Sequence, residues 1–190
     1  MTGDVIILTH ADVVVDPNVP VPEWGLNDTG LERHARFASN TALDDVAAIY
    51  VSTERKAREG AAPIASRLGL NAQLRSGLGE NDRSATGFLP EDEFWPIVKT
   101  FFAEPDRSVR GWETAYDAQS RIVTALRAIL SEAPNGDIAV VTHGGVATLL
   151  RCHLKQIDIT QTEGQPHPKG GCWYAFPRRM DAAPTDWNAI

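Results

Sequence analysis

Cysteine is scarce in this chain: only Cys152 and Cys172 occur among its 190 residues. Two cysteines that lack the spacing of metal ligands exclude a disulfide framework and a cysteine-based metal site. Hydrophobic residues make up 43% and charged residues 23% of the sequence, as in a globular protein with a core of its own. At this length we expect a single domain.

Basic charge is also in short supply. Lysine and arginine number 18, against 25 aspartate and glutamate residues, so the formal net charge is −7. A protein that binds nucleic acid or an anionic membrane surface needs the opposite balance, because it must neutralise phosphates. We therefore expect neither nucleic acid nor a membrane as a partner.

Long hydrophobic runs are absent as well. The segment Met1-Thr2-Gly3-Asp4 has no basic residue, and the apolar run that follows it, Val5-Ile6-Ile7-Leu8, is only four residues long. We expect no signal peptide and no transmembrane helix here, and we expect a cytoplasmic protein.

Short apolar runs alternate with helical stretches along the chain, which is typical of a parallel sheet covered by helices. The predicted strands are residues 5–8, 46–51, 138–141 and a late strand at 172–176, nearer an edge. The pattern predicts an α/β fold, a three-layer α/β/α sandwich with a mainly parallel central sheet. We expect the strand that ends at Thr142 to lie beside the first strand.

Three helices can be predicted from their end signals. Thr29 and Glu32 fit a capping box that opens a helix to about Ser39, and Thr114 has the geometry to open a long helix that ends before Pro134. A third helix runs from about residue 54 to 68, and Pro63 either kinks it or marks its start. Residues 12–28 and 76–90 are predicted to be long loops, which in a compact domain tend to be functional.

The same short pattern occurs twice: a buried strand, then threonine, then histidine. His10 follows the first strand, and His143 follows the strand at residues 138–141. Ligands of open parallel sheets bind at the carboxyl ends of the strands, so two neighbouring strands would bring both imidazoles to one site. Gly144 and Gly145 follow His143 and begin a helix whose N-terminus favours an anion.

Two histidines also fit a metal site, since imidazole is a common transition-metal ligand. That reading needs a third ligand, and neither His10 nor His143 has another histidine two to four residues away. We expect no metal ion and no cofactor.

With these motifs in order, the chain resembles the histidine phosphatase superfamily, which has the phosphoglycerate mutase-like fold. The resemblance runs from Ile6 to about Leu154, and we expect one histidine-phosphatase-like domain over residues 1–190. Residues 9–11 are similar to the family's Arg-His-Gly triplet, and residues 26–30 to its Leu-Ser/Thr-x-x-Gly turn. Residues 51–61 are similar to its Ser-Ser-Pro-Leu-x-Arg-Ala-x-x-Thr-Ala stretch. Residues 78–80 correspond to its acid-bearing loop, and residues 141–145 to its closing strand and His-Gly.

The resemblance implies a phosphatase that forms a phosphohistidine and needs no metal. His10 would attack phosphorus, Glu80 would protonate the leaving group, and His143 with the amide of Gly144 would bind the phosphoryl oxygens. Glu113, directly after Trp112, is an alternative acid if Glu80 points elsewhere. A mutase is less expected than a phosphatase, because a mutase must retain a doubly phosphorylated intermediate and this pocket has lost positive charge.

The chain departs from the family at both phosphate-binding arginines, which correspond to Thr9 and Lys56. Arginine grips phosphate with two parallel hydrogen bonds, whereas lysine is a point charge and threonine is uncharged. Arg55 and Arg83 are candidates to compensate, and Lys56, at the rim of the sheet, would carry much of the fixed charge. Because of these losses, a non-catalytic or weakly active binder of a small phosphorylated or anionic molecule remains the alternative to a phosphomonoester hydrolase.

Overall fold

The computed structural model describes residues 2–190. Met1 lies outside the described residues, although the expectations of a single domain and of no signal peptide include it. The strands are β1 (Asp4–Thr9), β2 (Val46–Val51), β3 (Ala72–Leu74), β4 (Asp137–Thr142), β5 (Cys172–Pro177) and β6 (Asn188–Ala189). The helices are α1 (Asp28–Phe37), α2 (Arg55–Leu68), α3 (Glu91–Ala103), α4 (Ala115–Glu132) and α5 (Gly144–Lys155).

The strands form one six-stranded sheet in the order β3-β2-β4-β1-β5-β6. The β3-β2-β4-β1 part is parallel, and β5 pairs with β1 in the antiparallel direction. As expected, β4 lies beside β1, with Thr9 opposite Thr142. The carboxyl ends of β1, β4 and β2 therefore meet at one edge, and the residues that follow these strands can form one site.

Helices cover both faces of the sheet, and each face has its own apolar cluster. Side chains of α3, α4 and α5 pack on one face against residues such as Ile7 and Val140. Side chains of α1 and α2 pack on the other face, against residues such as Leu8 and Val141. The alternation of neighbouring strand residues between the two clusters follows from the two-residue period of a strand. The predicted three-layer α/β/α sandwich is confirmed.

The predicted strands match the observed ones to within a residue or two, while the helix ends show one clear error. Asn27, not Thr29, caps α1: the side chain of Asn27 accepts a hydrogen bond from the Gly30 amide at 2.9 Å. Thr29 already lies in the first helical turn, so its capping box with Glu32 does not form. The helix ends at Phe37 rather than at Ser39.

The predicted start of α4 and the predicted end of α2 agree with the structure. Thr114 caps α4 by accepting a hydrogen bond from the Asp117 amide at 3.1 Å. Gly69 ends α2 with a left-handed φ of 64°, a conformation that glycine adopts without a Cβ penalty. Pro63 lies inside α2 and does not mark its start. The pattern missed α3 and the short strands β3 and β6. Among residues 2–190, no helix combines the length and the apolar character needed to cross a bilayer.

Candidate active site

His10 and His143 lie side by side at the carboxyl edge of the sheet. Each follows directly after one of the neighbouring parallel strands β1 and β4, whose last residues, Thr9 and Thr142, are paired. The ring centroids are 5.2 Å apart, with 64° between the ring planes. The repeated strand-Thr-His pattern therefore brings two imidazoles to one place.

The ring of His10 has one nitrogen engaged by its own backbone neighbour. Nδ1 lies 2.9 Å from the carbonyl oxygen of Ala11, so Nδ1–H donates and the lone pair of Nε2 is available. Burial, and after it the ammonium group of Lys56, lowers the pKa of His10 to about 4. The ring is neutral near pH 7, as a nitrogen nucleophile must be.

His143 is fully buried and faces two oxygen atoms. Its Nε2 lies 2.8 Å from the Ser52 hydroxyl, which follows β2, and 3.3 Å from Oε1 of Glu54. Its Nδ1 has no hydrogen-bond partner among the described residues. Burial, followed by the neighbouring His10, holds the pKa of His143 well below its usual range.

Glu80 binds the N-terminus of α5, directly after His143. Its two carboxylate oxygens accept hydrogen bonds from the amides of Gly145 and Val146, both at 3.0 Å. A Cβ atom on Gly145 would lie 2.6 Å from Oε1 of Glu80, so only glycine permits this approach. The amide of Gly144 has no partner within residues 2–190 and remains free for an anion.

Arg121 of α4 fixes the loop that carries Glu80. Its guanidinium donates to the carbonyl oxygens of Gly77, Gly79 and Glu80 at 2.9 to 3.1 Å. The same guanidinium binds the carboxylate of Glu113 with contacts of 2.8 and 2.9 Å. The structure thus places the Glu80 carboxylate at the N-terminus of α5, which begins directly after His143, and ties Glu113, the alternative acid, to Arg121.

Lys56, the second residue of α2, is buried, with an exposed fraction of 3%. Its ammonium group donates to the carbonyl oxygen of Val21 at 3.1 Å and forms an ion pair with Glu54. Lys56 also contributes to the lowered pKa of both His10 and His143, which agrees with a position close to both rings. The lysine is therefore at the site, but another side chain already neutralises it.

Arg83 supplies the second positive charge. Its guanidinium lies over the ring of Phe94, 4.9 Å from the centroid, and forms no ion pair among the described residues. Its charge also contributes to the lowered pKa of His10 and of His143. Of the cations predicted for the site, Arg83 is the one without a carboxylate partner.

The structure does not bring Arg55 to the histidines. The Arg55 side chain is half exposed and pairs with Glu59, one turn along α2, at 2.7 Å. Thr9 is fully buried, and its hydroxyl donates to Oε1 of Gln165 at 2.7 Å while accepting from the Cys172 amide at 3.0 Å. The Thr9 hydroxyl therefore holds the Gln165 side chain and the Cys172 backbone in place.

Sequence reasoning missed three residues around the site. Gln165 places its amide nitrogen beside Gly144, where a Cβ atom would lie 2.5 Å away, and no residue in the described range accepts a hydrogen bond from it. His34, fully buried, accepts a hydrogen bond from the Ala11 amide at 3.1 Å. Glu54 stands where the resembling family motif has leucine, a signal that was present in the sequence.

Within the described residues, no three His, Cys, Asp or Glu side chains converge in a way that could hold a metal ion. The site consists instead of two neutral imidazoles, two carboxylates and two cations, next to the N-terminus of a helix. Such a set can offer a nucleophile, a proton donor and several hydrogen-bond donors to an anion.

This fold and this site define an α/β protein with paired histidines at the carboxyl edge of its sheet, and comparison with known families names the class. The model of the histidine phosphatase superfamily (branch 1) matches residues 19–182. The chain therefore belongs to the histidine phosphatase superfamily. No protein with a curated description matches the sequence.

Solved structures share the fold at low sequence identity. The native mycobacterial glucosyl-3-phosphoglycerate phosphatase has a TM-score of 0.81 and 15% identity, covering 98% of this chain and 99% of that chain. YhfR of Bacillus stearothermophilus has a TM-score of 0.78 and 20% identity, covering 91% and 90% of the two chains. A mutant phosphoserine phosphatase from Entamoeba histolytica, in complex with phosphoserine, has a TM-score of 0.76 and 16% identity, covering 96% and 94%.

Proposed function

We propose that this chain is a phosphoric monoester hydrolase that works through a phosphohistidine on His10 and needs no metal ion. The observation that carries the proposal is the contact between His10 and His143, whose ring centroids are 5.2 Å apart, with Nδ1 of His10 tied to the Ala11 carbonyl. A neutral imidazole held in one tautomer presents its other nitrogen as a nucleophile. Membership of the histidine phosphatase superfamily supports this assignment.

In the first step, Nε2 of His10 attacks phosphorus and the N–P bond forms. The P–O bond to the ester oxygen breaks, its electron pair leaves with that oxygen, and protonated Glu80 supplies the proton. In the second step, a water oxygen attacks phosphorus, Glu80 takes the proton of the water, and the N–P bond breaks. The products are an alcohol and inorganic phosphate, and His10 and Glu80 return to their starting states.

The phosphoryl oxygens need donors while their charge redistributes. We assign this role to His143, the free amide of Gly144 and the cations Lys56 and Arg83. The geometry at the start of α5 supports the first two assignments, since the Gly144 amide has no partner among the described residues. Lys56 and Arg83 are close enough to contribute to the lowered pKa of His10.

A non-catalytic binder of a phosphorylated or anionic small molecule is the second candidate, and two observations favour it. Thr9 carries no charge, and its hydroxyl is already hydrogen-bonded to Gln165 and to the Cys172 amide. The ammonium group of Lys56 is already bound by Glu54. Neither position supplies the two-pronged arginine contact that strengthens phosphate binding.

Hydrolysis and binding can be separated by one comparison. We would assay a panel of phosphomonoesters with the native chain and with His10→Ala, and use His153→Ala, a histidine elsewhere on α5, as the control. The hydrolase predicts turnover that His10→Ala abolishes and His153→Ala keeps, and a phosphorylated His10 in the native chain quenched under alkaline denaturing conditions. Equal background rates in all three proteins would favour the binder.

The substrate we propose is a small phosphorylated molecule, and the compartment we propose is the cytoplasm. Cys152 and Cys172 are both free thiols, which is the usual state of cysteine in that compartment.

A further inference from the structure

The carboxylate of Glu54 occupies the meeting point of three groups in the site. Oε2 forms the ion pair with Lys56, while Oε1 accepts a hydrogen bond from the Glu80 amide at 2.8 Å. Oε1 also lies 3.3 Å from Nε2 of His143, and the side chain of Glu54 is only 12% exposed. Glu54 thus touches the cation, the second histidine and the loop of the acid at once.

The ion pair with Glu54 takes up the ammonium group of Lys56. The Lys56 side chain is 4% exposed, and its only other hydrogen-bond partner in the described chain is the carbonyl oxygen of Val21, at 3.1 Å. A phosphoryl group that approaches Lys56 therefore meets a cation whose charge a carboxylate already balances. Bringing a further anion beside that carboxylate is costly in a buried site, because like charges repel more strongly there than in water.

The charges of the whole site cancel in the same way. In the unliganded site Lys56 and Arg83 are positive, and Glu54 and Glu80 are negative; Glu80 holds the proton that it donates in hydrolysis only once the substrate is bound. The two histidines are neutral because burial lowers the pKa of each ring. A doubly charged phosphoryl group would leave this buried cluster with an excess of negative charge. A proton taken up on binding would relieve part of that excess.

Charged or titratable groups face Glu54 from several elements. These groups are Lys56 of α2, His143 after β4, His10 after β1, Glu80 and Arg83 of the loop at 76–90, and, at longer range, Arg121 of α4. Removal of Glu54 alone leaves the other charges in place. The effect of its charge can therefore be isolated.

We propose that Glu54 competes with the incoming phosphoryl group for Lys56, so that the site binds phosphomonoesters as the phosphoryl monoanion. A pocket without Glu54 would bind the dianion, which carries one proton less. The proposal rests on the proposed function, since it concerns the same phosphoryl-binding site. A phosphate monoester loses its second proton near pH 6, so both forms are present around neutrality and the site selects between them.

The test uses inorganic phosphate as the probe and the full chain in three forms: native, Glu54→Gln and Glu54→Leu. Calorimetry at about pH 7.5, in two buffers of different ionisation enthalpy, gives both the affinity and the number of protons taken up. Glu54→Gln should bind phosphate about tenfold more tightly, equivalent to about 1.4 kcal/mol. The native chain should take up about one proton more than the variant, and the affinity gap should narrow toward about pH 5.5, where the monoanion predominates.

The control is Glu104→Gln, which removes the same charge from an exposed pair with Arg107. It should behave like the native chain, so that a change in net charge alone is excluded. Glu54→Leu has no carboxylate and no amide, and it should repeat the result of Glu54→Gln. Circular dichroism checks that each variant is folded.

Several results would overturn the inference. One is phosphate binding by both Glu54 variants that is no tighter than that of the native chain, and another is equal proton uptake by the native chain and the variants. A third is the lack of phosphate binding by any form. The native chain alone would also overturn the inference if it bound phosphate at about pH 7.5 without taking up a proton. None of these measurements depends on turnover. If Glu54→Gln binds phosphate more tightly than the native chain but neither turnover nor phosphorylated His10 is found, the hydrolase proposal is wrong and the role of Glu54 stands. If turnover is found and the affinities are equal, the hydrolase proposal stands and the role of Glu54 is wrong.

Discussion

Nε2 of His34 accepts a hydrogen bond from the Ala11 amide at 3.1 Å, and the carbonyl oxygen of the same residue, Ala11, holds Nδ1 of His10 at 2.9 Å. A residue on α1 thereby fixes the backbone that orients the proposed nucleophile. Gly60 of α2 makes room for the ring, because a Cβ atom there would lie 2.6 Å from Cε1 of His34. His34 is a positioning residue, since it acts on His10 through Ala11.

Replacing His34 with leucine should destabilise the protein and disturb His10. The Ala11 amide would lose its acceptor inside the core, at a cost of about 1–3 kcal/mol in the free energy of unfolding. Urea denaturation measures this cost, and a shift in the pH profile of turnover reports a change in the ionisation of the groups around His10. His153→Leu, on a partly buried histidine with no side-chain hydrogen bond among the described residues, is the control. A His34→Leu protein as stable as the control would refute the prediction.

The stability of the fold should fall in acid because neutral histidines are buried in it. Burial lowers the pKa of His34 to about 3 and that of His10 to about 4, from an ordinary value of 6.5. As pH falls below about 6.5, the unfolded chain takes up protons that the folded chain refuses, so the free energy of unfolding decreases. Each such group contributes up to about 1.4 kcal/mol per pH unit.

This acid dependence can be measured by urea denaturation between about pH 7 and about pH 4.5. The slope of stability against pH should be shallower in His34→Leu than in the native chain, because one of the buried neutral rings is gone. Identical slopes would show that His34 is not responsible.

Arg121 should control the rate through the loop of Glu80. Arg121→Leu removes its donors to the carbonyl oxygens of Gly77, Gly79 and Glu80, so the acid loses its support. A misplacement of about 1 Å costs roughly a hundredfold in rate, so we expect kcat to fall by about that factor while KM changes little. Arg127→Leu, on the same helix and without a side-chain hydrogen bond in the described chain, should keep its kcat. A large change in KM alone would contradict this role.

Gln165 should contribute to phosphate affinity. Its amide nitrogen lies 2.5 Å from the position that a Cβ atom on Gly144 would take, and the Thr9 hydroxyl holds its oxygen at 2.7 Å. Gln165→Ala should weaken phosphate binding about tenfold, the effect of losing a hydrogen bond of about 1.5 kcal/mol to a charged group. Calorimetry with inorganic phosphate measures it, with Gln161→Ala as an exposed control in the same segment. Unchanged affinity would assign Gln165 to the fold alone.

Lys56 and Glu54 should depend on each other for stability. Lys56→Met leaves a poorly exposed carboxylate without its cation, and we expect a loss of about 3 kcal/mol in the free energy of unfolding. The double variant Lys56→Met with Glu54→Gln removes both charges and should recover most of that loss. A double-mutant cycle from urea denaturation gives the coupling. If the effects of the two single changes simply add, the pair does not stabilise the fold.

Four of the six strands in residues 2–190, and the places of His10 and His143 at the strand ends, could be predicted from the sequence alone. Strands such as residues 46–51 and 138–141 are continuous apolar runs, because a parallel strand covered by helices on both faces needs apolar residues on both sides. Since His10 and His143 each follow such a strand, strand chemistry and chain order were enough to predict where both would lie. The weak patterns, such as the two-residue strand β6, were missed because so short a segment has no periodicity.

The side chains that surround the two histidines could not be predicted in this way. Arg55 and Lys56 are adjacent in sequence, yet the turn of α2 directs Arg55 to Glu59 on the surface and Lys56 into the site. Local sequence cannot rank them, because a side chain's environment depends on which face of the helix packs against the sheet. Gln165 lies 156 residues from Thr9 in the chain, and only the antiparallel pairing of β5 with β1 brings the two together. Contacts between such distant segments depend on the packing of the whole domain, which leaves no periodic signal in the sequence.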